Sequence, residues 1–352
     1  MRKKHILFGV LDWGLGHASR SRVLLQILQE QNYVLTIASS GQALDYLQSH
    51  FPEADFLALS NYSISYAAKA RNWKWNLLSQ SQDLYKQHQA DQQILKSYLQ
   101  KNKVDILISD NRPSIYSPEL PSIYITHQLQ LPKGTGSRLG TFIHQRYYTK
   151  FDQIWVPDTQ QQTKITGELT EVKKWRDKIH FIGMLSTYEK TQETKKIDFT
   201  AILSGPEPQR TLLEQKLTQL FSKIDGKHTI VRGTNQGSSA QASKNTSIIN
   251  LASANDIQQI LNSSKLVICR SGYSSIMDLI SVQQKALLIP TPGQPEQEYL
   301  AKYFSSMGYF NTCSQSEISL SLIYEAFKSE QVIPQAENVD SNQIKTLLAR
   351  FF

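Results

Sequence analysis

The segment Arg270-Ser-Gly-Tyr-Ser-Ser-Ile-Met-Asp278 combines small, hydroxyl and acidic residues in an order that suits an anionic ligand. It follows the apolar run Leu266–Cys269 and contains the start of an apolar helical pattern, which is typical of a strand, a turn and a helix. Gly272 lets the backbone approach a ligand, while Ser274 and Ser275 supply hydroxyls. Because a helix N-terminus carries partial positive charge, this turn predicts a phosphate site.

Other groups in the same region suit a ligand with sugar hydroxyls. Asp278 falls in the first two turns of the predicted helix, where its carboxylate can reach two neighbouring hydroxyls of a ribose. A second buried strand, Ala286–Ile289, opens into a rigid Pro/Gly loop that carries Glu296 and Gln297. Amide and carboxylate groups on such a loop can hydrogen-bond a sugar. Arg270 could face the ligand or donate to a backbone carbonyl, and the sequence leaves both roles open.

These motifs resemble the donor-binding C-terminal part of the MurG-like glycosyltransferases, a family with the GT-B fold. The similarity lies in the string from Arg270 to Asp278 and in Pro-Thr-Pro-Gly-Gln-Pro-Glu296-Gln297, about a helix and a strand later. The resemblance implies that Asp278 binds the ribose of a UDP-sugar, and that Glu296 and Gln297 hold the donor sugar. The family usually has glutamate where Asp278 stands, and its specific motifs occupy the C-terminal third of this chain.

A histidine near the N-terminus is a candidate for the general base. The buried strand His5–Leu11 is followed by Gly14, Gly16 and His17 and then by an apolar helical pattern. Ser19 occupies the third glycine position, and no acidic residue ends the next strand, which excludes a dinucleotide site. A histidine of near-neutral pKa can accept a hydroxyl proton, although it can also cap or orient a helix. The resemblance implies that the glycines and the histidine face the acceptor side of a cleft.

Two later strands end in polar groups. Asp110, Asn111 and Arg112 follow one apolar strand, and His127 follows the next. Ligands of doubly wound folds bind outside the carboxyl ends of strands, so Asn111 and Arg112 are predicted on the acceptor side. Asp110 could be the base or could orient His17, and His127 is a third candidate base.

A second candidate site for the donor diphosphate follows the strand Ala201–Leu203. Ser204 and Gly205 come directly after that strand, and Arg210 falls in the first turn of the next helix. A strand-ending glycine and a guanidinium suit a dianion, whereas the alternative is a proline-capped helix start with an exposed arginine. No Asp-x-Asp pair follows a strand, so the sequence predicts no metal and no separate cofactor. Helix N-termini and arginine would neutralise the diphosphate.

Strand and helix patterns alternate along both halves of the chain, which predicts an α/β protein with doubly wound parallel sheets. With the resemblance, this pattern predicts two Rossmann-like domains facing across a cleft, the GT-B fold. Residues 1–160 are the predicted acceptor-binding domain, residues 161–196 a charged boundary segment, and residues 197–337 the nucleotide-sugar-binding domain. Residues 338–352 are predicted to form a helix, which by resemblance packs back on the N-terminal domain.

The composition, with 40% hydrophobic and 19% charged residues, describes a globular protein. No apolar run approaches the roughly 20 residues that cross a bilayer, which predicts a cytoplasmic protein. A net charge of +8 is spread along the chain, which disfavours nucleic acid and favours peripheral contact with the anionic inner face of the membrane. The segment Tyr62–Trp75 interleaves aromatic and basic residues, and it could touch the acceptor or a membrane or simply pack on its own domain.

The sequence therefore predicts an inverting glycosyltransferase that moves a sugar from a UDP-sugar to a hydroxyl acceptor on a glycan, a lipid or a small molecule. Two alternatives remain open at this point. A UDP-sugar epimerase on the same fold would interconvert sugars without an acceptor. A non-catalytic nucleotide-sugar or nucleic-acid binding protein would neither transfer a sugar nor interconvert sugars.

Overall fold

The computed structural model describes residues 2–61, 73–132, 145–160, 164–172, 174–235 and 243–352, with the backbone alone for 73–82. These residues form two compact units. The first unit contains most of the chain up to Thr187 and also Glu337–Phe352, while the second contains Tyr188–Ala336. The division falls inside the predicted boundary segment 161–196.

The first unit is built on seven parallel strands in the order β3-β2-β1-β4-β5-β6-β7. The strands are β1 (His5–Val10), β2 (Val34–Ser39), β3 (Asp55–Ala58), β4 (Ile106–Asp110), β5 (Ser122–Ile125), β6 (Gln153–Val156) and β7 (Ile179–Phe181). Helices α1 (Leu15–Glu30), α2 (Gly41–His50) and α3 (Trp73–Lys101) connect strands of this sheet. The direction of the strand order reverses between β1 and β4, so their carboxyl ends border the crevice where such folds bind ligands.

Continuous apolar runs explain why β1 and β4 lie in the centre of this sheet. Every residue of β4 is buried, as are the last five residues of β1, which is expected for parallel strands covered on both faces. The register pairs Val10 with Asp110, so both strands end at the same level. Asp110 therefore lies at the carboxyl end of the central strand β4, next to the turn that precedes α1.

The chain returns to the first unit at its C-terminus. Met184 forms a parallel bridge with Asn338, and the N–H of Val339 donates to the carbonyl of Met184 at 3.0 Å. A Cβ atom on Gly183 would come within 2.7 Å of the Asn338 backbone, and Gly183 has a φ of 83°. Only glycine combines this close approach with that backbone conformation. The final helix, α9 (Ser341–Ala349), belongs to the same unit.

The second unit is built on six parallel strands in the order β10-β9-β8-β11-β12-β13. The strands are β8 (Ile197–Ile202), β9 (His228–Val231), β10 (Thr246–Ile249), β11 (Ser264–Cys269), β12 (Ala286–Leu288) and β13 (Asn311–Thr312). The helices are α4 (Gln209–Phe221), α5 (Ala254–Ser263), α6 (Tyr273–Ser281), α7 (Pro295–Ser306) and α8 (Leu320–Lys328). The order reverses between β8 and β11, which places a second ligand crevice at their carboxyl ends.

The two doubly wound sheets confirm the predicted α/β fold class. Strand β13 and helix α8 were not predicted from the sequence. With only two residues, β13 is too short to produce a recognisable strand pattern. Most of the aromatic and basic segment Tyr62–Trp75 lies outside the described residues. Among the helices that the structure describes, none combines the length and the apolar character needed to cross a membrane.

Candidate functional site

Five polar side chains meet at the carboxyl ends of β1, β4 and β5, and we call them the His17 cluster: His17, Arg20, Ser21, Asp110 and His127. Asp110 is the last residue of β4, and His127 lies two residues beyond β5. The other three members come from the first two turns of α1, which begins directly after the β1 turn. The structure thus brings all three candidate bases together.

Asp110 is the centre of the His17 cluster. Its side chain is fully buried and accepts from three neighbours. His17 Nδ1 lies 3.2 Å from Oδ1, Ser21 Oγ donates to Oδ2 at 2.7 Å, and Arg20 Nε donates to Oδ2 at 2.9 Å. The Arg20 Nη2 group also donates to Oδ1, so that the guanidinium and the carboxylate form a bidentate pair.

The electrostatics of this cluster set two pKa values. Burial raises the pKa of Asp110, but the charges and hydrogen bonds of Arg20 and His17 outweigh that effect and hold it far below its usual range. Burial lowers the pKa of His17, and the Arg20 charge lowers it further, while Asp110 acts in the opposite direction. At neutral pH the cluster therefore contains an ionised carboxylate, a guanidinium and a neutral His17 imidazole.

Arg20 and Ser21 were not predicted from the sequence. They lie three and four residues after His17 on α1, so the three side chains share one face of the helix. That spacing, next to a strand-ending acid such as Asp110, is the signal that could have identified them. Apolar periodicity alone does not reveal a buried arginine.

The residues predicted on the acceptor side differ in their surroundings. Gly14 precedes α1 with a φ of 79°, and apart from its chain neighbours no atom of the described residues lies within 4 Å of the position that its Cβ would take. Gly16 lies inside the first turn of α1. Asn111 accepts from the Tyr124 hydroxyl at 3.0 Å. Arg112 is fully buried and pairs with Asp91, Nε to Oδ2, at 2.8 Å, so it stabilises the interior of the unit and does not face an acceptor.

In the second unit, the loop after β8 lies against groups from two other strand ends, and we call this arrangement the Gly205 cradle: Gly205, Arg270 and Thr291. A Cβ on Gly205 would lie 3.4 Å from Thr291 Oγ1 and 3.9 Å from Arg270 Nε. Both of these atoms are buried and make no hydrogen bond within the described residues. Because buried donors are normally satisfied, two unsatisfied donors beside a glycine indicate a place for a polar ligand.

The rest of the Arg270 guanidinium is used by the protein. One terminal nitrogen donates to the backbone carbonyls of Ile289 and Pro290, both at 3.3 Å, and the other donates to the Gln209 carbonyl at 2.9 Å. Arg270 therefore takes the structural role that the sequence left open, although its Nε still points toward the Gly205 cradle.

The loop predicted to bind the donor sugar is held in place by Gln297, one of the residues predicted to contact that sugar. Gln297 is buried, and its Oε1 accepts from the Thr291 N–H at 2.9 Å. The Gln297 carbonyl accepts from Ser271 Oγ at 2.8 Å, which ties the loop to the turn after β11. Gln294 in the same loop has a buried Oε1 without a partner among the described residues. Gln297 thus shapes the site, and Gln294 is an additional amide of the same loop that was not singled out from the sequence.

The helix residues predicted to bind the donor lie on α6 next to that loop. A Cβ on Gly272, which precedes α6, would lie 3.9 Å from both Gln297 Nε2 and Ser275 Oγ. Asp278 is partly exposed on the second turn, and burial together with the Asp278 charge raises the pKa of Cys269 to about 12. This coupling places the Asp278 carboxylate near the carboxyl end of β11. Ser274 and Glu296 are partly exposed as well.

Arg210 belongs to a buried ion network and is not the exposed arginine of the alternative interpretation. Its Nη1 donates to Glu214 at 2.6 Å, and its Nε donates to Glu207 at 2.6 Å. Arg232 donates to the other oxygen of Glu214 at 2.7 Å. Since its nitrogens serve this network, Arg210 braces the loop that carries Ser204, while Ser204 itself is exposed. Within the described parts of the chain, no group of three or more His, Cys, Asp or Glu side chains could hold a metal ion.

Comparison with known proteins assigns both halves of the chain to glycosyltransferases. Residues 207–348 match the glycosyltransferase family 28 C-terminal domain, and residues 4–149 match glycosyl transferase family 1. A UDP-N-acetylglucosamine–N-acetylmuramyl-(pentapeptide) pyrophosphoryl-undecaprenol N-acetylglucosamine transferase of Histophilus somni is 25% identical over 159 residues, which are 43% of this chain and 44% of that protein. The chain thus spans less than half the length of this curated relative.

Solved structures agree with the fold. The glycosyltransferase of kitacinnamycin superposes with a TM-score of 0.68 at 11% identity, over 100% of this chain and 95% of that one. MurG of Acinetobacter baumannii superposes with a TM-score of 0.53 at 11% identity, over 93% of this chain and 90% of that one. The predicted GT-B fold is therefore confirmed, and the two domain matches and the curated relative confirm the predicted resemblance to the MurG-like glycosyltransferases.

Proposed function

We propose that this protein is an inverting glycosyltransferase that uses a UDP-sugar donor and a hydroxyl acceptor, with His17 as the general base. The observation that carries this proposal is the contact between His17 Nδ1 and the ionised carboxylate of Asp110. A carboxylate can only accept, so His17 donates its Nδ1 proton and keeps a lone pair on Nε2. That lone pair is available to accept a proton from a hydroxyl.

The other two candidate bases are less suited to the task. Asp110 already accepts from three side chains, and its low pKa makes it a poor proton acceptor at neutral pH. His127 Nδ1 lies 2.9 Å from Arg20 Nη1, and because a guanidinium has no lone pair, His127 must accept there. Its Nδ1 lone pair is thereby occupied. Asp110 is assigned the orienting role and His17 the role of base.

In the proposed reaction His17 Nε2 takes the proton of the acceptor hydroxyl as its oxygen attacks the anomeric carbon. The bond between that carbon and the diphosphate oxygen breaks, and UDP leaves with the electron pair. A single displacement of this kind inverts the anomeric configuration. General base catalysis of this step typically contributes about 10²–10⁴-fold to the rate.

The donor would be bound by the second unit. We assign the diphosphate to the Gly205 cradle, where Arg270 Nε and the Thr291 hydroxyl are unsatisfied donors, and where the N-terminus of α6 adds partial positive charge. Asp278 is assigned to the ribose hydroxyls, and Glu296 and Gln294 to the sugar. This donor set supports diphosphate binding without a divalent metal.

Donor binding is tested by thermal unfolding in EDTA with UDP, dTDP and GDP. We expect UDP to raise the Tm most, because a ligand that binds only the folded state stabilises it. At about 100 times the Kd, the stabilisation is about 2.7 kcal/mol. Asp278→Ala is expected to reduce the UDP shift strongly. Asp256→Ala, which removes the exposed carboxylate of the capping box that begins α5 in the same unit, is expected to keep it. An equal UDP shift in the parent and in Asp278→Ala would contradict the ribose assignment.

The pH dependence of transfer follows from the His17 environment. The neutral imidazole is the active form, and burial and Arg20 lower its pKa from the ordinary 6.5. Activity should therefore persist below that pH and fall only as the pH drops through the lowered value. The test is kcat/KM between about pH 5 and about pH 8. An acidic limb above the ordinary histidine value would contradict this assignment.

The acceptor to test first is a lipid-linked hydroxyl. The relative from Histophilus somni is named for a pyrophosphoryl-undecaprenol acceptor. A net charge of +8 would also favour contact of this protein with an anionic membrane surface. We propose such peripheral contact as the setting of the reaction.

A further inference from the structure

Arg20 connects the two histidines of the His17 cluster through one guanidinium. Its Nε and Nη2 groups donate to Asp110, which holds His17, while its Nη1 group donates to His127 Nδ1 at 2.9 Å. Arg20 is 3% exposed and Asp110 is fully buried, so solvent screens these contacts only weakly.

We propose that Arg20 is a positioning residue for the reaction. It keeps Asp110 a charged acceptor and fixes His127 as the Nε2–H tautomer. Through Asp110 it also holds His17 as an Nδ1–H imidazole whose Nε2 can accept a proton. The two histidines then carry their protons on opposite ring nitrogens. This inference deepens the proposed function and depends on it for its catalytic meaning.

The first step of the argument is stereochemical. A guanidinium has five N–H donors and no acceptor, so His127 Nδ1 must be unprotonated where it meets Arg20. A neutral imidazole with an unprotonated Nδ1 carries its proton on Nε2. The ionised Asp110 imposes the opposite arrangement on His17, since Nδ1 must donate to the carboxylate. One arginine thus fixes both tautomers, directly for His127 and through Asp110 for His17.

The second step concerns charge. In a histidine–carboxylate pair alone, the negative carboxylate stabilises the imidazolium and raises its proton affinity. Here Arg20 neutralises that carboxylate. The groups that face His17 are Arg20 from α1, Asp110 from β4 and His127 from the segment after β5. Arg20 disfavours the charged imidazolium and Asp110 favours it, so removing the Arg20 charge should shift His17 toward the protonated form.

The test is an NMR titration of protein labelled with ¹⁵N at histidine, in which the ring nitrogen signals report protonation and tautomer. In the parent we expect His127 to be protonated at Nε2 and His17 at Nδ1 at neutral pH. A parent His127 protonated at Nδ1 would overturn the proposal without any substitution. The measurement needs neither donor nor acceptor, so it stands even if no transfer is found, and failure of the proposed function would be recognised separately.

The variant Arg20→Gln removes the charge. We expect the His17 titration midpoint to move to higher pH by about one pH unit or more, and His127 to lose its fixed tautomer. Arg20→Lys retains the charge, so the low His17 midpoint should be largely restored, although one ammonium cannot span both partners. The matched control is Arg22→Gln, which removes another buried arginine of α1 whose Nη2 donates to Thr187 Oγ1 at 2.8 Å. The control should leave the His17 titration and the tautomers of both histidines unchanged.

Kinetics provide the readout that a purely structural role would not move. For Arg20→Gln we expect the acidic limb of the kcat/KM profile to move to higher pH with the NMR midpoint, so that part of the activity returns as the pH is raised. A folded Arg20→Gln protein with the parental His17 titration and the parental His127 tautomer would overturn the proposal. An activity loss that is equal at every pH would also overturn it.

Discussion

Replacing His17 with alanine is expected to lower kcat for sugar transfer by about 10²–10⁴-fold, the usual contribution of a general base. The UDP-induced rise in Tm should be unchanged, because no donor-binding group of the second unit is altered. The physical reason is the single lone pair on His17 Nε2, which the contact between Nδ1 and Asp110 leaves available. Steady-state kinetics at saturating donor measure the change.

A matched control for His17 is His50→Ala. His50 is an exposed histidine at the end of α2 in the same unit, and its ring contacts Ser49 and the Tyr46 carbonyl. This variant should keep the parental kcat. If His17→Ala also kept it, His17 would not be the base, and His127 would become the candidate to examine.

Replacing Asp110 with asparagine is expected to have the largest effect on stability. The carboxylate balances a guanidinium that is almost completely buried, and breaking such a pair by removing one partner costs about 3–5 kcal/mol. An asparagine amide would also present an N–H₂ group to donors that need an acceptor. Urea unfolding measures the free energy of unfolding, and transfer should be lost as well, because His17 is no longer held in the Nδ1–H tautomer.

The variant Asp91→Asn separates these two effects. Asp91 forms the buried pair with Arg112 in the same unit, and both side chains are fully buried. Its loss should therefore destabilise the protein by a similar amount while the folded protein retains transfer. Equal loss of transfer per folded molecule in both variants would mean that destabilisation, and not the orientation of His17, explains the Asp110→Asn phenotype.

Much of the fold follows from the sequence because buried parallel strands read as apolar runs that end in glycine or polar residues. The same logic places His17, Asp110 and His127 together, since the carboxyl ends of neighbouring strands share one edge of the sheet. Gly205 is predicted at the diphosphate site because a strand-ending glycine permits close approach, and the structure places it beside Thr291 Oγ1 and Arg270 Nε.

The arginines show where sequence patterns stop being informative. Arg112 and Arg210 follow strands as ligand-binding residues do, yet both form buried ion pairs. The Arg112 partner, Asp91, lies 21 residues away on α3 and becomes visible only in three dimensions. The Arg210 partner, Glu214, lies four residues later on the same helix, a spacing that the sequence already contains. Arg20 lies on an apolar helix face where a charge is not expected, and its partner is 90 residues away. A sequence reveals a charge but not the counter-charge that long-range packing supplies.

The most direct test of the central claim is mass spectrometry of lipid-linked and soluble hydroxyl acceptors incubated with UDP-sugars. The parent protein is expected to add one glycosyl unit to an acceptor and release UDP, and the His17→Ala variant is expected to do neither at a comparable rate. Interconversion of the donor sugar without acceptor labelling would contradict the proposed transfer and support the epimerase. Equal labelling by both proteins would contradict the role of His17.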